Sequence, residues 1–261
     1  LNIKKNKKIT IRKLKQLYLE HESKKLDVDT IYAKKIRLSH FCEKDKTKQV
    51  NTHPEFDIQK YNKNMYMNWQ SQMKEKQYKK GKELKLYSIK QLNTIHNEVC
   101  RMIDFAIEEG YCKINFAKQC GKIGSPKEIR ISEKTKRYNV INYEEYLMLL
   151  DASKDDLKYN TYFDLAFTRG PRIGEIRAFR VCDYNPEKKQ LMVNFTMSKS
   201  NKIKEPKTAA SKDTIDLDNV TNYKIQKLIN TMKEKDGFND KWYIFGGKNP
   251  ISENALRNAK N

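Results

Sequence analysis

The residues best suited to chemistry lie between Phe167 and Arg180, where the chain reads F-T-R-G-P-R-I-G-E-I-R-A-F-R. Gly170 and Pro171 mark the expected start of a helix, because proline's fixed φ suits a first helical turn. Arg172 then stands at the N-terminus of that helix, with Ile173, Ile176 and Phe179 spaced to bury one face. Backbone N–H groups at a helix start favour anions, and an adjacent guanidinium grips a phosphate through two parallel bonds. That combination suits a phosphodiester, although an ordinary amphipathic helix with an arginine at its start has the same spacing.

Stepping outward, the flanking elements set the frame for Arg172. Asn142 is expected to cap a helix with Glu145 at its third position, and a helix around Tyr162–Phe167 leads into the arginine segment. The period then changes. Leu191, Val193, Phe195 and Met197 alternate as a half-buried strand, and Thr214–Leu217 alternates again. Between them runs a polar turn with Lys199, Lys202, Lys204 and Lys207, so the expectation is a small antiparallel sheet with a lysine-studded hairpin. A helix with Ile225, Leu228, Ile229 and Met232 follows, then a strand-like Trp242–Phe245 and a last helix opened by Ser252.

The first half reads as helices. Ile11, Leu14, Leu17 and Tyr18 form one apolar face; Tyr32, Ile36 and Phe41 form part of another, with Asp29 as N-cap. Ile58, Tyr61, Met65, Trp69 and Met73 fall at helical spacing, and Lys74–Lys85 reads as a solvated basic loop. In the fourth helix Ser88 and Gln91 form a capping box and Gly110 marks the stop. Leu92, Ile95, Val99, Met102 and Ala106 line its buried face. Lys90, Thr94, Asn97 and Arg101 line another face at the same spacing, with the amides, hydroxyls and cations that reach phosphates and base edges in a major groove. A merely solvated face fits the same pattern. Residues 117–138 read as an interdomain linker with seven Lys/Arg against two Glu; there Lys122, Lys127, Arg130, Lys134, Lys136 and Arg137 could track a phosphate backbone.

Composition agrees with a polyanionic partner. The 261 residues carry a net charge of +21, and hydrophobic residues make up only 38%, yet ten Phe, fifteen Tyr and two Trp argue for packed cores. Nucleic acid comes before a membrane surface, because no basic amphipathic anchor or transmembrane run is visible. The five cysteines form no C-x-x-C pair, which reads as free thiols in a reducing cytosol. His96 and Cys100 sit four residues apart without further partners at ligand spacing, so no metal is expected. The chain opens at Leu1 rather than Met, as expected for a fragment or a processed chain.

Two segments resemble the tyrosine recombinases, the phage-type integrases. Gly170-x-Arg172-Ile173-Gly174-Glu175, followed by Ala178-Phe179-Arg180 and Asp183, is similar to the family's first catalytic box. Lys207-Thr208-x-x-Ser211-x-x-x-Ile215-x-Leu217 is similar to the hairpin that carries its catalytic lysine, and Phe105-Ala106-Ile107 with Gly110 and Asn115 resembles the close of its core-binding domain. The resemblance implies a mainly α fold with a small antiparallel β-sheet: a helical core-binding domain at 1–116, the basic linker at 117–138 and a truncated α+β catalytic domain at 139–261.

It further implies DNA cleavage and rejoining through a 3′-phosphotyrosyl intermediate, with no metal or nucleotide cofactor. Arg172 and Lys207 would be catalytic and Glu175 supporting. Double-stranded DNA would be the partner, a homotetramer on DNA the assembly, and the bacterial host cytosol and nucleoid the location. Arg169, Pro171 and Asp213 depart from the pattern. All four histidines precede Arg172, so the family's H-x-x-R box is absent from these residues and no nucleophilic tyrosine is assigned. A non-catalytic DNA-binding relative and an unrelated basic nucleic-acid-binding module stay open.

Overall fold

The computed structural model describes residues 8–134, 140–198, 201–205 and 213–259, without the side chains of 133 and 134. The chain divides into two compact units, 1–138 and 139–261.

Unit 1 is built from α1 (Ile11–Ser23), α2 (Val28–Cys42), α3 (Lys63–Glu75), a β1–β2 hairpin (Gln77–Lys80 and Glu83–Leu86), α4 (Ile89–Glu108), α5 (Phe116–Cys120) and α6 (Pro126–Lys134). The Ser88–Gln91 capping box opens α4, and Gly110 follows its end with φ +76°. Ile11, Leu14, Leu38, Phe41, Tyr66, Trp69, Leu92, Val99 and Met102 form the core. Phe41 is its aromatic hub, with ring centroids 5.3–5.6 Å from Tyr61, Trp69 and Tyr66.

Several expectations for unit 1 are corrected. Tyr32 and Ile36 are exposed rather than buried, because α2 turns Lys34, Leu38, Phe41 and Cys42 inward. Lys34 is tolerated there because its ammonium lies 2.6 Å from Glu98 and 2.9 Å from Glu22. Asp27, not Asp29, caps α2 by accepting from the Asp29 and Thr30 N–H groups. The third helix starts at Lys63, because Ile58–Lys60 is a separate 3₁₀ turn. Lys74–Lys85 is largely a hairpin, not a loop. The stretch expected as a linker is also not a free tether over its first part: Ala117 and Ile123 are buried in the unit 1 core. The Asn93 side chain bonds both the N–H and the C=O of Ile123, at 2.8 and 2.9 Å, and so holds the segment against α4.

Unit 2 contains α7 (Tyr143–Ala152), α8 (Leu157–Arg169), α9 (Ile173–Ala178), β3 (Tyr184–Asn185), β4 (Gln190–Met192), β5 (Thr196–Met197), β6 (Ile203–Lys204), β7 (Thr214–Asp216), α10 (Asn219–Lys233) and α11 (Glu253–Asn258). The Asn142–Glu145 box caps α7. The alternation from Leu191 to Met197 spans two strands rather than one: β4 joins an antiparallel β3-β4-β7 sheet, and β5 pairs with β6 in a separate hairpin. Among the described residues Trp242–Phe245 makes isolated bridges and no strand, Tyr243 pairing with Arg180 and with Gly247. Leu165, Ile176, Phe179, Leu191, Ile225, Ile244 and Phe245 are fully or almost fully buried in this core.

The base of the β1–β2 hairpin generates a pH prediction. Burial opposes ionisation of Asp45, but hydrogen bonds from Lys76 and Thr47 outweigh it and hold its pKa at about 2. The Lys76 ammonium lies 3.0 Å away. A depressed carboxyl pKa stabilises the fold above the unfolded value of about 3.9 and loses that stabilisation as pH falls toward the folded value. Urea unfolding of unit 1, followed through Trp69 in a Trp242→Phe background, is expected to lose stability between about pH 4 and pH 2. Asp45→Asn should be less stable at neutral pH and flatter across that window.

Candidate functional site

The arginine segment is built around a chain reversal. Gly170 ends α8 in the left-handed region, with φ +66° and ψ 27°. Pro171 follows, and Arg172 is the extended N-cap of α9, so the proline precedes the cap instead of occupying the first turn. Glu175 holds both ends of Arg172. Its Oε2 accepts from the Arg172 backbone N–H at 2.8 Å, and its Oε1 accepts from Nη1 at 2.7 Å. The Arg172 side chain is 76% exposed whereas that of Glu175 is 10% exposed. The result is an open guanidinium at a helix start, oriented by a nearly buried carboxylate. Such a site suits an anion that takes the remaining donors.

Behind it, α9 is fixed against the β5–β6 hairpin by very close contact. A Cβ on Gly174 would lie 2.5 Å from Thr196 Oγ1 and 2.8 Å from the Met197 carbonyl oxygen, so only glycine fits. Arg177, 1% exposed, donates from Nε to the Ile251 carbonyl at 2.8 Å and from Nη1 to the Ser198 carbonyl at 3.1 Å. Its Nη2 donates to the Asn201 side chain. Burial pulls the Arg177 pKa below the ordinary arginine value, with Glu253 countering. Sequence reasoning missed this clamp, since a charged residue in a helix reads as solvated. Asp183 is buried as well and accepts from the Arg180 N–H at 2.9 Å and the Asn194 amide at 2.8 Å. Arg169, one of the departures from the box, reaches Asp218 at the start of α10, 3.4 Å away.

On the hairpin, Lys202 is exposed and Lys204 half-buried. Lys199 and Lys207 lie outside the described residues, as do Lys136, Arg137 and the Lys134 side chain. In unit 1, Lys90, Thr94, Asn97 and Arg101 are all exposed on one face of α4, and the Thr94 hydroxyl donates to the Lys90 carbonyl at 2.8 Å. Lys122 is exposed before α6, and Lys127 and Arg130 are exposed on it. His96 bonds the Tyr66 hydroxyl at 3.0 Å, and burial lowers its pKa, which favours a neutral core histidine. Among the described residues no group of three His, Cys, Asp or Glu side chains could hold a metal, and no helix is long and apolar enough to cross a membrane.

No family model matches the sequence, and no curated protein matches it either. Solved structures do. The Tn1549 transposon integrase, in complex with a circular intermediate DNA, superposes with a TM-score of 0.66 at 17% identity, over 94% of this chain and 74% of that one. A lambda integrase dimer bound to a COC′ core site gives 0.64 at 14% identity, over 99% and 65%. The fold is that of the tyrosine recombinases. A lambda integrase tetramer bound to a Holliday junction matches at 0.64 and 13% identity, over 98% and 67%. At such identities the likeness is one of fold; within this tyrosine-recombinase fold, the open arginine and its clamped hairpin are features of this chain's own residues.

The Gly174 contact gives a test of the site's construction. A glycine-to-alanine change inside a helix ordinarily stabilises by about 0.5–1 kcal/mol. Here the added methyl meets backbone, so Gly174→Ala is expected to destabilise unit 2 by about 1–3 kcal/mol. Urea unfolding followed through Trp242 in a Trp69→Phe background measures the sign; a gain would show that α9 and β5 do not approach this closely.

Proposed function

We propose that this chain is the DNA-binding and phosphate-activating portion of a site-specific tyrosine recombinase of a phage or other mobile element. The observation that carries the reading is Arg172, open to solvent at a helix start and tied to Glu175, in a fold shared with integrases solved on DNA.

In the reaction so proposed, a tyrosine hydroxyl attacks the scissile phosphorus, a 3′-phosphotyrosyl bond forms and the 5′-oxygen departs. Arg172 neutralises the non-bridging oxygens as charge grows in the transition state. Lys207, beyond the β5–β6 hairpin, gives the proton to the departing oxygen. Glu175 acts on Arg172 and not on the substrate. No tyrosine of this chain is assigned as nucleophile. Unit 1 binds duplex DNA through the α4 stripe and the basic surface before and on α6, and a homotetramer is the working assembly. The bacterial host cytosol, on the nucleoid, is the place where such DNA is met.

A binding-only reading is favoured by the net charge of +21 and by the exposed cations of the α4 stripe and of α6, which suit phosphates without requiring chemistry. Both readings expect the 261-residue chain to bind duplex DNA without forming a covalent adduct. Binding should weaken by about a thousandfold between 50 and 200 mM salt if about six phosphates are contacted. Absent or salt-insensitive duplex binding would sink both.

Chemistry separates the two readings in a protein that also carries the H-x-x-R box and a nucleophilic tyrosine. Removing a donor aimed at developing charge costs about a hundred- to a thousandfold in rate, so Arg172→Ala should damage cleavage far more than binding. A substrate with sulfur at the bridging 5′ position barely needs a leaving-group proton; it should rescue Lys207→Ala and not Arg172→Ala. Normal cleavage by Arg172→Ala would show that Arg172 is not the phosphate-activating residue, and the enzyme reading would lose its centre.

A further inference from the structure

The sequence between Lys74 and Lys85 gives no alternating apolar signal, yet the chain builds a two-stranded ribbon there. Cα partners are Gln77 with Leu86, Tyr78 with Lys85, Lys79 with Leu84 and Lys80 with Glu83. Every side chain of the ribbon is exposed except the half-buried Tyr78, and Leu84 and Leu86 are 67% and 56% exposed. A ribbon without a buried face is marginal on its own, so its order comes from the base. The buried Lys76 pairs with the little-exposed side chain of Asp45, and the Gln77 N–H donates to the Gln49 side chain at 2.7 Å. Tyr78 packs on Tyr87, ring centroids 4.7 Å apart. The tip turns through Gly81 at φ +64°, and among the described residues no carboxylate pairs with Lys79, Lys80 or Lys82.

The ribbon is also continuous with the α4 stripe. Tyr87, which carries Tyr78 on one side, lies 5.3 Å from the His40 ring and lines a groove of about 210 Å³ with Arg37, Gln91 and Thr94. Thr94 belongs to the stripe. A basic arm anchored at its base, with exposed lysines at its tip, therefore borders the surface that reads as a DNA interface. Three exposed lysines gathered at one tip suit a polyanion, and a duplex groove admits a two-stranded ribbon.

We propose that the β1–β2 ribbon is a second DNA-contacting arm of unit 1, setting Lys79, Lys80 and Lys82 against duplex phosphates beside the groove taken by α4. The inference rests on the DNA-binding reading above and adds to it a surface outside the residues singled out from the sequence.

The test uses the whole chain and a random-sequence duplex, with affinity measured by fluorescence anisotropy across salt concentrations. Three proteins are compared: wild type, Lys79→Gln/Lys80→Gln/Lys82→Gln, and the stripe variant Lys90→Gln/Arg101→Gln. Each phosphate contact contributes about 0.9 to the slope of log affinity against log salt, so the ribbon variant's slope should be shallower by about 2–3 at unchanged thermal stability. DNA should also protect Lys80 and Lys82 of the wild type from acetylation. If the stripe variant weakens while the ribbon variant keeps the wild-type slope and its tip stays reactive on DNA, the ribbon has another role and the DNA reading stands. Loss of self-association in Leu84→Ser/Leu86→Ser under that outcome would assign the ribbon to a second copy of the chain instead. A wild-type chain that binds no duplex overturns both.

Discussion

The orientation of the open arginine in unit 2 depends on the carboxylate three residues after it. Glu175 is nearly buried, and its two oxygens accept from the backbone N–H and the guanidinium of the same residue, Arg172. An arginine side chain carries about 2 kcal/mol of rotamer entropy, and an exposed ion pair contributes little to stability. The pair therefore acts through orientation more than through energy. It caps a short helix and points a planar cation outward along a fixed direction. Removing Glu175 would leave Arg172 in place in the sequence and adrift in space.

Holding α9 still is the work of its other face. Gly174 lets the helix backbone approach β5 within a distance no side chain would allow, and Arg177 reaches past it to Ser198, Asn201 and Ile251. A buried guanidinium is costly unless its donors are met, and here three acceptors meet them, two from the β5–β6 turn and one from Ile251 before α11. One six-residue helix thus fixes both the open arginine and the turn of the lysine hairpin. Unit 1 uses the same device: Lys34 is buried only because Glu98 and Glu22 converge on it, and this network ties α1 and α2 to α4 behind the exposed stripe.

Local rules made much of this legible. The capping boxes at Ser88 and Asn142, the stop at Gly110, the buried face of α4 and the placing of Arg172 at a helix start all follow from short-range chemistry, and the structure has them. What was hidden depends on partners distant in sequence. Tyr32 and Ile36 face solvent because Lys34 takes the inner position, paired with a carboxylate 64 residues away. Arg177 reads as a surface cation until Ile251 is folded against it. Ile123 looks like part of a polar linker because the core that buries it lies upstream, and the group that holds its backbone is the side chain of Asn93, 30 residues away. The β1–β2 ribbon has no buried face and hence no period to read, and the close approach at Gly174 left only a glycine inside a helix as its trace.

If Arg172 faces a phosphate, neutralising that one phosphate removes its contact. A duplex selected by this chain from a random pool is remade as a series, each member with one methylphosphonate, and affinity is measured for wild type and Arg172→Ala. One position is expected at which the neutral linkage weakens wild-type binding but leaves Arg172→Ala unaffected, because the contact it removes is already gone. If every position weakens the two proteins equally, Arg172 touches no phosphate, and the site built around Glu175 serves something other than DNA.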